Sequence, residues 1–167
     1  MPVLIFDNNM VLPPKSPNES KAEMTVRMFP SDANPAGNVF GGEILKQIDL
    51  IAGLVSQRHS RTNAVTASID RVNFLKPVYV GNALIINARL NYVHRSSMEI
   101  EIKVEAEDLM TGTRTLTNTA YVTTVALGSN GKTAEVPPLL LETEEDRQRF
   151  ADGEKRMLQR LKERGKI

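Results

Sequence analysis

An α+β domain, with one long apolar helix laid on an antiparallel sheet of about five strands, is predicted by three observations. The first is a helical repeat of apolar residues between Phe40 and Val55. The second is a succession of strand-like segments after residue 63, the clearest of which alternates strictly between apolar and charged residues over 98–107. The third is that this is the one apolar helix in a chain whose sheet needs its apolar face covered. A second helix, near the C-terminal end, is too charged for that task.

Taken in order, residues 1–22 contain Pro13, Pro14 and Pro17 and read as an irregular arm. Residues 23–29 suit a strand with Met24, Val26 and Met28 on one face, and Ser31, Asp32, Asn34, Pro35 and Gly37 make a loop. The central helix is expected from about Val39–Gly42 to about Gln57. Phe40, Ile44, Ile48, Ile51 and Val55 recur at intervals of three and four, with Leu45 and Ala52 widening the stripe, so most of its surface is expected to be buried. Residues 64–74 read as a strand whose alternation changes phase near Asp70–Arg71, the mark of a bulge. Residues 83–93 place Leu84, Ile86, Ala88, Leu90 and Tyr92 on one face. Residues 98–107 place Met98, Ile100, Ile102, Val104 and Ala106 inward, and the acids and lysine between them on a face expected to be wet. A strand over 113–127 follows. Pro137-Pro138 ends the sheet, and 142–163 forms a charged helix with a narrow stripe of Phe150, Met157 and Leu161, placed either on the domain surface or on a neighbouring subunit. The expected organisation is an arm (1–22), one domain (23–140) and a helical extension (141–167).

Composition removes several function classes. A net charge of +1 gives no bulk attraction to nucleic acid or to an acidic membrane. The absence of cysteine removes disulfides, thiolate metal sites and cysteine nucleophiles, and suits a reducing cytoplasm. Two histidines, His59 and His94, offer no metal-ligand spacing, so no metal is expected. No apolar run approaches the roughly 20 residues of a membrane span. The expectation is a soluble, cytoplasmic protein without cofactor, nucleic-acid partner or membrane.

The segment 34–53 carries the functional signal. Asp49 stands near the middle of the apolar helix, and a buried carboxylate costs several kcal/mol unless it is paired or used. Gly42 and Gly53 fall on the same side as Asp49, leaving room for a backbone or ligand to approach.

The run Asp32-Ala-Asn34-Pro-Ala-Gly37-Asn-Val-Phe-Gly41-Gly42, followed by Ile-Leu-Lys-Gln-Ile-Asp49-Leu-Ile-Ala-Gly53, resembles the hot-dog acyl-CoA thioesterases of the brain acyl-CoA hydrolase type and their short bacterial relatives. So do Thr66-Ala-Ser-Ile-Asp70-Arg-Val-Asn-Phe74, Pro77-Val-Tyr-Val-Gly81 and Ser96-Ser97-Met98-Glu99, and the likeness spans about residues 23–163. It implies a long helix wrapped by a curved sheet, and hydrolysis of acyl-CoA thioesters to a carboxylate and coenzyme A. It also implies Asp49 as the catalytic carboxylate, either a general base or a nucleophile, and Asn34 as its loop partner, with Asn38 the second candidate. Coenzyme A is then part of the substrate and no separate cofactor is needed. The resemblance places the nucleotide at the turn His94-Arg95-Ser96-Ser97, with Arg95 on a phosphate, and the pantetheine beside Asn73 and Phe74. It implies a dimer with active sites shared between chains, arranged as a trimer of dimers.

Thioester hydrolysis needs a polarised carbonyl and an activated nucleophile. Free N–H groups at a helix start provide the first, and Gly41 and Gly42 keep side chains out of the way there, so the Gly42 N–H is the expected oxyanion donor. Relatives often carry histidine before the Gly-Gly pair, where this chain has Phe40. A hot-dog dehydratase or hydratase would need a histidine on the helix or its lead-in, and none is expected there. A non-catalytic acyl-CoA sensor would normally carry an effector module, and no helix-turn-helix fits the arm.

Overall fold

The computed structural model describes residues 12–167, so residues 1–11 of the expected arm lie outside the described residues. The elements run α1 (Pro17–Ser20), β1 (Ala22–Arg27), a 3-10 turn (Pro30–Asp32), α2 (Gly41–Ser60), β2 (Asn63–Phe74), β3 (Ala83–His94), β4 (Ser97–Glu107), β5 (Arg114–Leu127) and α3 (Glu144–Glu163). The strands form one antiparallel sheet in the order β1-β3-β4-β5-β2, so β1 and β2 are its edges.

Helix α2 covers the inner face of the sheet. Ile44, Ile48, Ile51, Ala52 and Val55 are buried against Met98, Ile100, Ile102 and Val104 of β4 and Ala120 and Val122 of β5. Each fully buried Ile or Val side chain contributes about 1.5–3 kcal/mol, so this seam dominates the stability of the domain. A hydroxyl pair, Ser56 Oγ to Thr124 Oγ1 at 2.7 Å, pins the helix to β5. The opposite face of α2 is not buried. Phe40, Leu50, Leu54 and Asp49 are exposed, so the expected nearly complete burial of the helix is corrected to burial of one face.

Helix α2 also runs three residues past its expected end, which puts His59 in its last turn rather than beyond it. His59 is fully buried, and its Nε2–H donates to the Pro137 carbonyl at 2.7 Å, while Nδ1 has no partner among the described residues. Burial pushes its pKa below the ordinary imidazole value against the pull of the Pro137 bond. Lys15 closes the same end of α2 by donating from Nζ to the carbonyls of Arg58 and His59, both at 2.9 Å. A cation there complements the negative end of the helix dipole. The Lys15 backbone bridges to Leu139, and Ser16 Oγ donates to Glu142. The arm and the segment after the sheet are thereby clasped together.

The outer face of the sheet is wet only in part. Helix α3 lies across the Glu99 end of β4, which corrects the solvated face expected there, while Lys103 stays exposed and Glu105 and Glu107 half-buried. Glu99 is 1% exposed and accepts from Arg156 at 2.7 Å and from Arg160 at 3.1 Å, while Glu101 pairs with Arg149. Farther along, Arg89 of β3 pairs with the buried Asp146. Burial alone would raise the Asp146 carboxyl, but the Thr143 backbone N–H and Arg89 outweigh it and hold its pKa below the usual range. The helix docks closely because of Gly153, where a Cβ would stand 2.6 Å from Tyr92 Cβ. Phe150 completes the contact, its ring 4.7 Å from that of Tyr92.

Tyr92 itself was expected on the inner face with Leu90. The pairing shifts between them: Leu90 stands opposite Ile100, but Tyr92 stands opposite Glu99. The extra residue, buried Asn91, flips the strand by one, and Tyr92 turns outward under α3.

Candidate active site

Strand β2 is the edge that borders α2, and it carries two bulges. One lies between Asp70 and Asn73, where the sequence pattern predicts it, with Arg71 at φ +50°. The other lies between Thr66 and Ser68 and has no counterpart in the sequence reading. Upstream of it, Thr66 faces α2 and donates from Oγ1 to Asp49 Oδ1 at 2.6 Å. This is a short hydrogen bond, and Asp49 Oδ2 has no partner among the described residues.

A groove starts at Asp49 and Thr66 and runs along the seam between α2 and β2. Its walls are Leu50, Gly53, Leu54 and Val65, and its far end carries Gln57, Arg58 and Arg61. Among the described residues, nothing beyond the helix's own backbone and the adjoining residues stands within 4 Å of where a Cβ of Gly42 or Gly53 would sit, so both glycines face open space. Gly41 differs. Its missing Cβ makes room for the Phe74 ring, which lies 3.2 Å from that position.

The start of α2 is uncapped by any side chain, since its N-cap residue is Phe40. Glu43 and Ile44 N–H groups reach the Phe40 carbonyl, and those of Gly41 and Gly42 have no partner among the described residues. Just upstream, the Asn34 side chain folds the loop by accepting from the N–H groups of Ala36 (3.0 Å) and Asn38 (3.1 Å). Its amide nitrogen is left without a partner among the described residues.

At the other hairpin, Arg95 takes the left-handed conformation, φ +53°, and Ser97 Oγ donates to the His94 carbonyl at 3.0 Å. The Arg95 and Ser96 carbonyls are held by the N–H groups of Val136 and Ala126. The Arg95 side chain is exposed. Asn73 donates to Thr119 Oγ1 at 3.4 Å.

Within one chain, therefore, Asp49 meets Thr66, Gly41 meets Phe74, and Asn34 meets Asn38. The groove at Asp49 includes none of Asn34, Gly41, Gly42, Asn73, Phe74, Arg95, Ser96 or Ser97. Thr66 and the polar groove end of Gln57, Arg58 and Arg61 were not singled out from sequence. Thr66 stood inside a recognised motif, but its partnership with Asp49 crosses from helix to strand and leaves no local pattern. His59, although on the helix, lies ten residues beyond Asp49 and faces Pro137, away from the groove.

A sheet wrapped on one long helix, with a carboxylate at the helix–strand seam, is the architecture of the hot-dog thioesterases. The thioesterase superfamily model matches residues 36–113. The uncharacterized acyl-CoA thioester hydrolase YkhA of Bacillus subtilis is 45% identical over 77% of this chain and 74% of its own length. The human cytosolic acyl coenzyme A thioester hydrolase is 36% identical over 87% of this chain, which spans only 39% of that longer protein. Among solved structures, an apo-hexameric acyl-CoA thioesterase superposes with a TM-score of 0.86 at 35% identity, covering 91% of this chain and 97% of the other. The acyl-CoA hydrolase of Staphylococcus aureus, solved with butyryl coenzyme A and coenzyme A, gives 0.84 at 34% identity, covering 91% and 93%. The chain belongs to the acyl-CoA thioesterase family of the hot-dog fold. Among the described residues no helix is long and apolar enough to cross a membrane.

Proposed function

We propose that the protein hydrolyses acyl-CoA thioesters with Asp49 as the catalytic carboxylate and Thr66 as the group that holds it. The observation that carries this reading is the 2.6 Å hydrogen bond from Thr66 to Asp49 at the mouth of an apolar groove. With Oδ1 occupied, Oδ2 is free to take a proton from water as that water attacks the thioester carbon. The tetrahedral intermediate then expels the coenzyme A thiolate, which recovers the proton. Direct attack by Oδ2, forming an anhydride, uses the same orientation.

Spacing supports the choice of residues. Staphylococcus aureus acyl-CoA hydrolase has been solved with an asparagine, an aspartate and a threonine each changed to alanine, and those residues are separated by 15 and 17 positions. Asn34, Asp49 and Thr66 have the same separations.

The oxyanion donors come from another chain. Gly42 precedes Asp49 by seven residues, about 10 Å along a helix axis. A reacting carbon must lie within about 3–3.5 Å of its nucleophile, so for direct attack by Asp49 one helix does not supply both groups to one carbonyl, and with an intervening water the span is at its limit. Gly42 of the partner subunit and Asn34 of the partner subunit complete the site. The exposed stripe of Phe40, Leu50, Leu54, Val65 and Phe74, beside the uncovered edge strand β2, is the surface such a partner would bury. Dimers then assemble in threes, as the hexameric relatives suggest. The exposed guanidinium of Arg95, with Ser96 and Ser97 beside it, takes a phosphate of coenzyme A.

Release of free thiol from acyl-CoAs of increasing chain length tests this reading. Asp49→Asn is expected to lower kcat by about 10²–10⁴-fold, the usual worth of a positioned acid–base group. Absence of thiol release from every acyl-CoA, or an unimpaired Asn variant, would overturn it.

A further inference from the structure

Residues four apart on a regular strand share a face. Thr66 and Asp70 do not. Thr66 pairs with Thr124, which faces α2 through its bond to Ser56, whereas Ser68 and Asp70 pair with Thr123 and Tyr121 on the outer face. The bulge between Thr66 and Ser68 makes the difference. It allows one strand to give a hydroxyl to Asp49 on one side of the sheet and a carboxylate to α3 on the other.

The outer contact is specific. Arg160 Nη1 donates at 3.1 Å to Asp70 Oδ2 and at 3.1 Å to the buried Glu99, and Ser68 Oγ donates to the same Asp70 oxygen at 3.3 Å. Ser68–Asp70 is an island of three paired residues between two register shifts. Without an anchor, such a segment slips by one residue at low cost, and a slip exchanges its faces. Glu99 supplies the fixed point. It sits on the central strand β4, almost without solvent, and is held a second time by Arg156, whose guanidinium stacks 3.9 Å from the Tyr121 ring centre.

We infer that Arg160 of the C-terminal helix is a positioning residue for catalysis: by tying Asp70 to Glu99 it locks the β2 bulge that turns Thr66 toward Asp49. The inference rests on the reading of Asp49 and Thr66 given above. Arg160 touches neither substrate nor reacting atoms, and its effect passes through strand register.

The test is a double-mutant cycle on the full-length protein, with kcat and KM for a short acyl-CoA measured below the melting temperature of every variant. Arg160→Ala is expected to lower kcat about tenfold, as a small misplacement of a reactive group does, with KM changed by less than about twofold. Placed on Thr66→Val, the same change is expected to lower kcat by less than about twofold further, because the hydroxyl it positions is already gone. Asp70→Ala, which removes the acceptor but leaves Glu99 paired, should behave like Arg160→Ala and carries the cycle if that variant fails to fold. Arg147→Ala, on the exposed side of α3, should leave kcat unchanged. A loss that multiplies undiminished in the Thr66→Val background, or a lower melting temperature with unchanged kcat, would overturn the inference. An active Asp49→Asn variant would instead remove the reading beneath it, so the two failures are distinguishable.

Discussion

Replacing Gly153 by alanine separates two effects of opposite sign. In an exposed helix the change adds helix propensity worth about 1 kcal/mol. Here the new Cβ would lie 2.6 Å from Tyr92 Cβ and 3.1 Å from Glu99 Oε1. Tyr92 Cβ is fixed to the backbone of β3 and cannot swing aside, so α3 must move outward by about 1 Å to restore ordinary contact. Overpacking of this kind costs typically 1–3 kcal/mol. The displacement also stretches the Arg156 and Arg160 bonds to a carboxylate with no access to water, which favours the upper end of that range. The net expectation is a loss of about 2 kcal/mol, or about 4–8 °C in melting temperature for a chain of this size. Thermal unfolding followed by circular dichroism at one fixed protein concentration reads it, since an oligomer's transition moves with concentration. A melting temperature equal to or above that of the parent would refute the close docking of α3.

Two further expectations bear on other parts of the molecule. Arg95→Ala should raise KM for acyl-CoA several-fold more than it lowers kcat, because a phosphate contact made equally in ground and transition states acts on binding alone, and steady-state kinetics with the reverse pattern would remove the phosphate role. His59 is buried in its neutral form, with its folded pKa depressed, so the unfolded chain takes the proton first as pH falls below about 6.5. Stability is therefore present above that value and declines below it, until the folded state also binds the proton. Urea midpoints on either side should show the decline, and a His59→Gln variant should lose most of it.

The legible parts of this fold were those in which the pattern of one element suffices. Ile44, Ile48, Ile51 and Val55 announce the buried face of α2, and Met98 to Val104 announce that of β4. The phase change at Asp70–Arg71 announces one bulge of β2. Asn91 announces nothing, because a polar residue between Leu90 and Tyr92 continues a regular alternation while its backbone breaks it. The burial of Glu99 depends on a partner some sixty positions away. The arginines that meet the acids, Arg149, Arg156 and Arg160, lie at helical spacings on one face of α3, a signal lost in a helix charged all round. Asp49 was found as a residue, but its exposure was not foreseen. An apolar stripe on the far side of α2 reads as core whether it packs against the same chain or against another.

The clasp between arm and sheet exit sets an order of events during synthesis. Lys15 can close the end of α2 as soon as that helix has formed, but Ser16 and its partner Glu142 are 126 positions apart. At bacterial or eukaryotic elongation rates that separation takes on the order of ten seconds to translate. For that interval the sheet can assemble while the main chain of Lys15 and the Ser16 side chain wait for their partners at Pro138, Leu140 and Glu142. The segment around Pro137–Leu140 is the last piece of main chain the arm requires, so the N-terminal end of the domain becomes secure only when nearly the whole of it has been made.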